Sequence, residues 1–139
     1  MPHDPVRVAD TRAWVEKALV DFRGADADLS ASPPVVEDVF FHAQQAVEKM
    51  LKAFLTWHDR PFRKTHAIEE LGQLCLSIEP SLEDVVDRAV PLTEYASKFR
   101  YPGVMEVADL DDARAALAVA REVFDAIAAR LPPETCPPQ

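Results

Sequence analysis

Glycine and cysteine are scarce in this chain, basic charge is in the minority, and no long uncharged apolar run occurs. Each shortage excludes something. Three glycines among 139 residues, none of them clustered, leave no room for a glycine-rich phosphate loop. Two cysteines, Cys75 inside an apolar helical pattern and Cys136 near the end, make no disulfide framework and fit a reduced compartment. The four histidines, at positions 3, 42, 58 and 66, show no HxxxH or HExxH spacing, and neither cysteine stands beside another ligand. No metal site and no cofactor is therefore expected. Nothing approaches the roughly 18 apolar residues of a membrane span. Met1-Pro2-His3-Asp4-Pro5 has neither the basic start nor the apolar run of a signal peptide, so the expected location is the cytoplasm. A net charge of −9 argues against a protein that coats nucleic acid. Period-two alternation is missing too, which excludes strands of useful length.

What remains is helical. Hydrophobic residues make up 48% of the chain, enough for one domain with a real core. The organising stretch is Phe40–Leu55. At about 100° per residue, Phe40, Ala43, Val47, Met50, Leu51 and Phe54 share one broad arc. His42, Gln45, Lys49, Lys52 and Thr56 form a polar stripe opposite, facing a ligand, water or a subunit interface together with Glu48. So wide an apolar arc suits a helix with more than one neighbour. Gln44 falls inside the arc, and a buried amide without partners costs about 1–3 kcal/mol. Gln44 is thus expected to have a specific partner or to lie at a subunit seam.

The rest of the chain divides around this helix. After a loose start with two prolines, three-four spacing predicts a first helix over 8–29, with Gly24 a point of bending or fraying. Ser32 before Pro33 and Pro34 reads as the start of the second helix, which runs to about Asp59. Thr65 or His66 opens a short third helix ending at Ile78. A fourth covers 82–99 with a kink at Pro91. Asp109 caps a last helix reaching Leu131, and a proline-rich tail, 132–139, is expected to be disordered. The fold class is all-α, an antiparallel bundle of four to five helices over 8–131. The second and last helices carry more apolar surface than a monomer of this size covers. A two-fold dimer burying more than about 1,000 Å² is expected.

Positive charge is uneven. Five of the 15 basic residues, Lys49, Lys52, Arg60, Arg63 and Lys64, fall between 49 and 64, opposed there only by Asp59. Two readings stand: an anion site, with His66 beside a helix N-terminus, or solvated cations at a helix end. Cys75 reads as a packed core thiol.

Phe41-His42-Ala43-Gln44-Gln45-Ala46-Val47-Glu48-Lys49-Met50-Leu51-Lys52-Ala53, then Lys64-Thr65-His66, then Leu92-Thr93-Glu94-Tyr95 and Phe99-Arg100-Tyr101-Pro102-Gly103 resemble the HEPN domain family in order and spacing. The resemblance implies a bundle of four or five helices, usually dimeric, and frequent pairing with a minimal nucleotidyltransferase in prokaryotic toxin–antitoxin-like modules. Many family members are metal-independent RNases; others are nucleotide-binding or non-catalytic. The family's nuclease motif is an arginine, four to six residues, then a histidine. Arg100 matches the arginine, but the three positions for the histidine hold Met105, Glu106 and Val107. Without a histidine to move the proton of a 2′-hydroxyl or leaving group, no catalytic residue is assigned.

The resemblance therefore implies a homodimer acting as the non-catalytic or weakly active half of a two-protein module, with a nucleotidyltransferase partner and a nucleotide or RNA phosphate at the basic end. Lys49, Lys52, Arg63, Lys64, His66, Arg100 and Tyr101 are the candidate phosphate contacts. The alternatives are a metal-independent RNase toxin using Arg100 with a second group elsewhere, and a purely structural dimer.

Overall fold

The computed structural model of the protein describes residues 2–138. It begins with α1, Pro5–Ser30, capped by Asp4, whose Oδ1 accepts from the Val6 amide at 3.0 Å. The helix thus starts earlier than apolar spacing suggests. An acidic cap followed by proline at the first helical position stabilises an end that the two prolines seemed to loosen. The helix does not fray at Gly24, since α1 continues six residues further, to Ser30.

A turn closed by the Val35 amide donating to the Asp28 carbonyl at 3.0 Å leads into α2, Val36–Trp57. Ser32 does not cap this helix. Pro33 and Pro34 lie outside it, Val35 holds the cap position without a side-chain bond, and Glu37 and Asp38 complement the dipole in the first turn. Asp59, at φ 52°, turns the chain away after α2; aspartate is one of the few residues that tolerates this.

Helix α3, Ile68–Ile78, opens two residues later than expected, because the Thr65 hydroxyl accepts from Ala67 N and holds 65–67 in a turn. The stretch read as one kinked helix is two short ones, α4, Glu83–Ala89, and α5, Leu92–Lys98, separated at Val90–Pro91. Proline lacks the donor that would join them. Asp109 caps α6, Leu110–Ala128, accepting from Asp111 N at 2.8 Å.

The fold is all-α among the described residues, as the patterning requires. Helix α2 is its centre, packed against α1, α3, α5 and α6. Thirteen of its 22 residues are buried; of the supposed polar stripe Lys52 is buried, with Glu48 beside it, while His42, Gln45, Lys49 and Thr56 are half-buried. Val47, Met50, Leu51, Phe54 and Leu55 are all but inaccessible; truncating one to alanine costs about 2–5 kcal/mol. Phe22 of α1 meets Phe124 of α6 edge-on, ring centroids 5.6 Å apart. No helix among the described residues is long and apolar enough to cross a membrane.

The end of the chain departs from the expected loose tail. Pro133–Thr135 form a single 3₁₀ turn with Thr135 buried, and the Glu134 carbonyl accepts from Arg12 of α1 at 3.3 Å. Leu131, also buried, continues the apolar seam of α6 and draws the following residues onto the bundle.

Candidate functional site

Two helical stripes face each other across the α2–α5 contact. On α2, Phe41, Gln44, Gln45 and Glu48 repeat at three-four spacing; on α5 and just beyond it, Thr93, Ala96, Ser97 and Arg100 do the same. Between them lies an open groove of about 510 Å³, lined by seven of these eight residues and by His66 from the α2–α3 connector. The eighth, Glu48, sits beneath it. Thr93 ties α5 to the start of α3, its hydroxyl accepting from Ile68 N at 3.3 Å.

Glu48 is the buried anchor of this arrangement, with its side chain only 3% exposed. Its carboxylate accepts from Lys52 Nζ at 2.7 Å, Gln44 Nε2 at 3.1 Å and Gln45 Nε2 at 3.3 Å. It also lies 3.0 and 3.2 Å from Nδ1 of His66. Gln44 has the partners its position demands, donating also to the His66 carbonyl at 3.0 Å and accepting from Gln45 at 2.8 Å. Facing a carboxylate, His66 Nδ1 carries a proton, and Nε2 belongs to the exposed edge of a ring whose side chain is 76% accessible.

Arg100 forms the other wall. Its guanidinium stacks on Phe41, 4.0 Å from the ring centroid, a contact worth about 0.5–1 kcal/mol at an exposed site. No carboxylate among the described residues pairs with it. Tyr101 beside it is exposed.

The basic patch read from the sequence is not one surface. Lys52 is buried, paired with Glu48 and lying 5.3 Å from the Trp14 ring centroid and 5.9 Å from that of Phe62. Lys49 is neutralised by Asp21 of α1, at 2.5 Å, and Arg63 by Glu70, at 2.6 Å. Lys64 is exposed and pairs with no carboxylate among the described residues. His42, read as facing ligand or solvent, turns toward α1, its Nδ1 2.9 Å from Asp21 and its Nε2 3.5 Å from Asp28. Of the candidates, then, the groove collects Gln44, Gln45, His66 and Arg100 above Glu48. Lys49, Lys52 and Arg63 are engaged in ion pairs, and His42 is turned to Asp21 and Asp28. Cys75 is buried in the core, donating to the Leu51 carbonyl at 3.6 Å, and burial pushes its thiol up to about 12.

Phe41, Thr93, Ala96 and Ser97 are the groove residues that the sequence reading did not name as site candidates. Their signal was present: Phe41 stands three residues before Gln44, and Thr93, Ala96 and Ser97 stand seven, four and three residues before Arg100, on the same helix face.

Comparison with known proteins gives one match. The family model described as HEPN domain covers residues 11–131. No curated protein and no solved structure matches the chain.

Proposed function

The chain belongs to the HEPN domain family, and on that premise we propose that it binds the phosphate of a nucleotide or RNA in the α2–α5 groove. It does so as the non-catalytic or weakly active half of a two-protein, toxin–antitoxin-like module. The partner in this reading is a nucleotidyltransferase, the working form is a homodimer, and the location is the cytoplasm. One observation carries the binding: Arg100, free of any carboxylate among the described residues and placed over the Phe41 ring, shares a groove with His66. A guanidinium fixed by stacking presents its donors in a plane suited to phosphate oxygens.

Titration with adenosine 5′-monophosphate and a short RNA at low salt tests the reading. Saturable binding, reduced at least ten-fold by Arg100→Ala at unchanged thermal stability, supports it. Absence of saturable binding overturns it and leaves the purely structural dimer. The assembly is tested separately by light scattering, where a monomer at tens of micromolar contradicts the dimer. The partner is tested by co-purification with the product of the neighbouring gene.

A specific observation also favours the second reading, the metal-independent RNase. Glu106, alone titratable among the three expected positions, pairs with Lys98 at 2.6 Å, yet His66 supplies an imidazole from another element. Oriented by Glu48, its Nε2 is suited to accept the proton of a 2′-hydroxyl while Arg100 steadies the phosphate. Cleavage of RNA in the presence of a chelator, lost in both Arg100→Ala and His66→Ala, establishes this reading; intact RNA rejects it.

A further inference from the structure

Resting on the phosphate-binding reading, we infer that the groove recognises a phosphate monoester, the terminal phosphate of a nucleotide or of an RNA end, and not the internal phosphodiesters of a strand. The distribution of unspent charge carries this. A groove that tracks a polyanion needs a row of available cations. Here four cations of α2, α5 and the connector are committed to carboxylates, Lys49 to Asp21, Lys52 to Glu48, Arg63 to Glu70 and Lys98 to Glu106, while Arg60 and Lys64 of the connector do not line the groove. Of the basic groups that line the groove, Arg100 has no carboxylate partner among the described residues, and His66, its Nδ1 turned to Glu48, adds the rest of an exposed ring.

The surroundings limit the ligand further. Past Thr93 and Ser97 the groove opens into a shallow depression of about 640 Å³ lined by Ile68, Val90 and Pro91 together with Glu69 and Glu94. Its single cation, Lys98, is the one held by Glu106. A strand entering from Arg100 would bring its next phosphate toward two carboxylates with no free counter-charge. One phosphate group escapes that cost. A monoester also concentrates up to about two negative charges on one group at neutral pH, which a single guanidinium with an imidazole beside it can meet where a row of separate phosphates would not be met. Gln45 and Ser97 add neutral donors beside them. The carbon skeleton of the ligand then lies over the apolar floor at Val90 and Pro91, outside the region of positive potential.

Three probes decide the matter: adenosine 5′-monophosphate, a ten-nucleotide RNA with a 5′-phosphate, and the same RNA with a 5′-hydroxyl. The 5′-phosphorylated RNA or the mononucleotide should bind, and the 5′-hydroxyl RNA at least ten-fold more weakly than its phosphorylated twin. Mononucleotide binding alone identifies a free nucleotide as the source; competition between the first two probes identifies a shared end site. Both outcomes support the inference. Saturable binding of both RNAs with equal affinity overturns it while leaving phosphate binding intact. Failure of all three probes instead overturns the phosphate-binding reading itself. His66→Ala and Arg100→Ala should each lower affinity for the monoester at least ten-fold. Arg100→Lys should restore only part of it, because an ammonium does not stack on Phe41 as a guanidinium does. Both residues are exposed, so the variants are expected to fold.

Discussion

Gly24 of α1 lies directly beneath the imidazole of His42 of α2: a Cβ placed on Gly24 would come within 2.7 Å of His42 Nε2. Alanine in a helix interior is ordinarily better than glycine by about 1 kcal/mol. Here that gain should be lost, because the ring is fixed by Asp21 and cannot retreat without giving up the 2.9 Å contact. Gly24→Ala alone should destabilise the protein, whereas in a His42→Ala background the same change should stabilise it. A double-mutant cycle by chemical denaturation measures this coupling, and additive behaviour would refute the close approach.

Removing Glu48 should be far more damaging than its position on a supposed polar stripe suggests. Lys52 is 8% exposed at its side chain and has its carboxylate partner there. Stripping one member from a buried pair leaves the other charge uncompensated, at a cost of about 3–5 kcal/mol. Glu48→Ala should therefore shift the denaturation midpoint strongly, and the double variant Glu48→Leu with Lys52→Met should recover much of the loss. A midpoint for Glu48→Ala within experimental error of the wild type would contradict the buried pair.

These two cases show where the sequence was legible. Gln44 stood out because an amide inside an apolar arc demands partners, and Pro91 and Asp109 punctuate the chain by rules that act within a turn or two. The pairing of Lys49 was hidden, because its counter-charge, Asp21, lies 28 positions earlier. Only packing of α1 on α2 brings the two together. Lys52 had a local clue in Glu48 four residues before it, yet such a pair looks the same in sequence whether solvated or buried. The groove depends on contact between α2 and α5, which periodicity alone does not register, and the end of the chain on a docking site supplied by α1.

Burial fixes the behaviour of Cys75. With its thiol pushed up to about 12, almost no thiolate exists at pH 8, and the side chain is inaccessible besides. Native protein should consume one equivalent of a thiol reagent, at partly accessible Cys136, and a second only on unfolding. Rapid modification of Cys75 in the folded state would refute its placement.

Asp28 gives a pH dependence of defined sign. Burial foremost, and then the charge of Asp38, raises its carboxyl above the usual range, with His42 opposing. Its Oδ2 is 3.5 Å from His42 Nε2 and without a hydrogen-bond partner among the described residues. A group raised in this way binds its proton more tightly when folded, so ionising it costs stability. That cost is fully present above the folded pKa and disappears as pH falls toward the unfolded one. Asp28→Asn should accordingly raise the melting temperature at pH 7, by an amount that shrinks on acidification. A gain that grew toward acid pH would reverse the sign and refute the assignment.

Helix α2, enclosed by four neighbours, imposes a division of labour on any lineage that carries this architecture. Its amides should be among the last to exchange with deuterium, since exposing them requires the whole bundle to open. The floor of the groove therefore has no motion of its own to offer an arriving ligand. Adjustment to a new ligand must come from the connector bearing His66 and from the end of α5 bearing Arg100. Specificity can drift there by single substitutions, while on α2 the same number of changes would unfold the protein before it learned anything new.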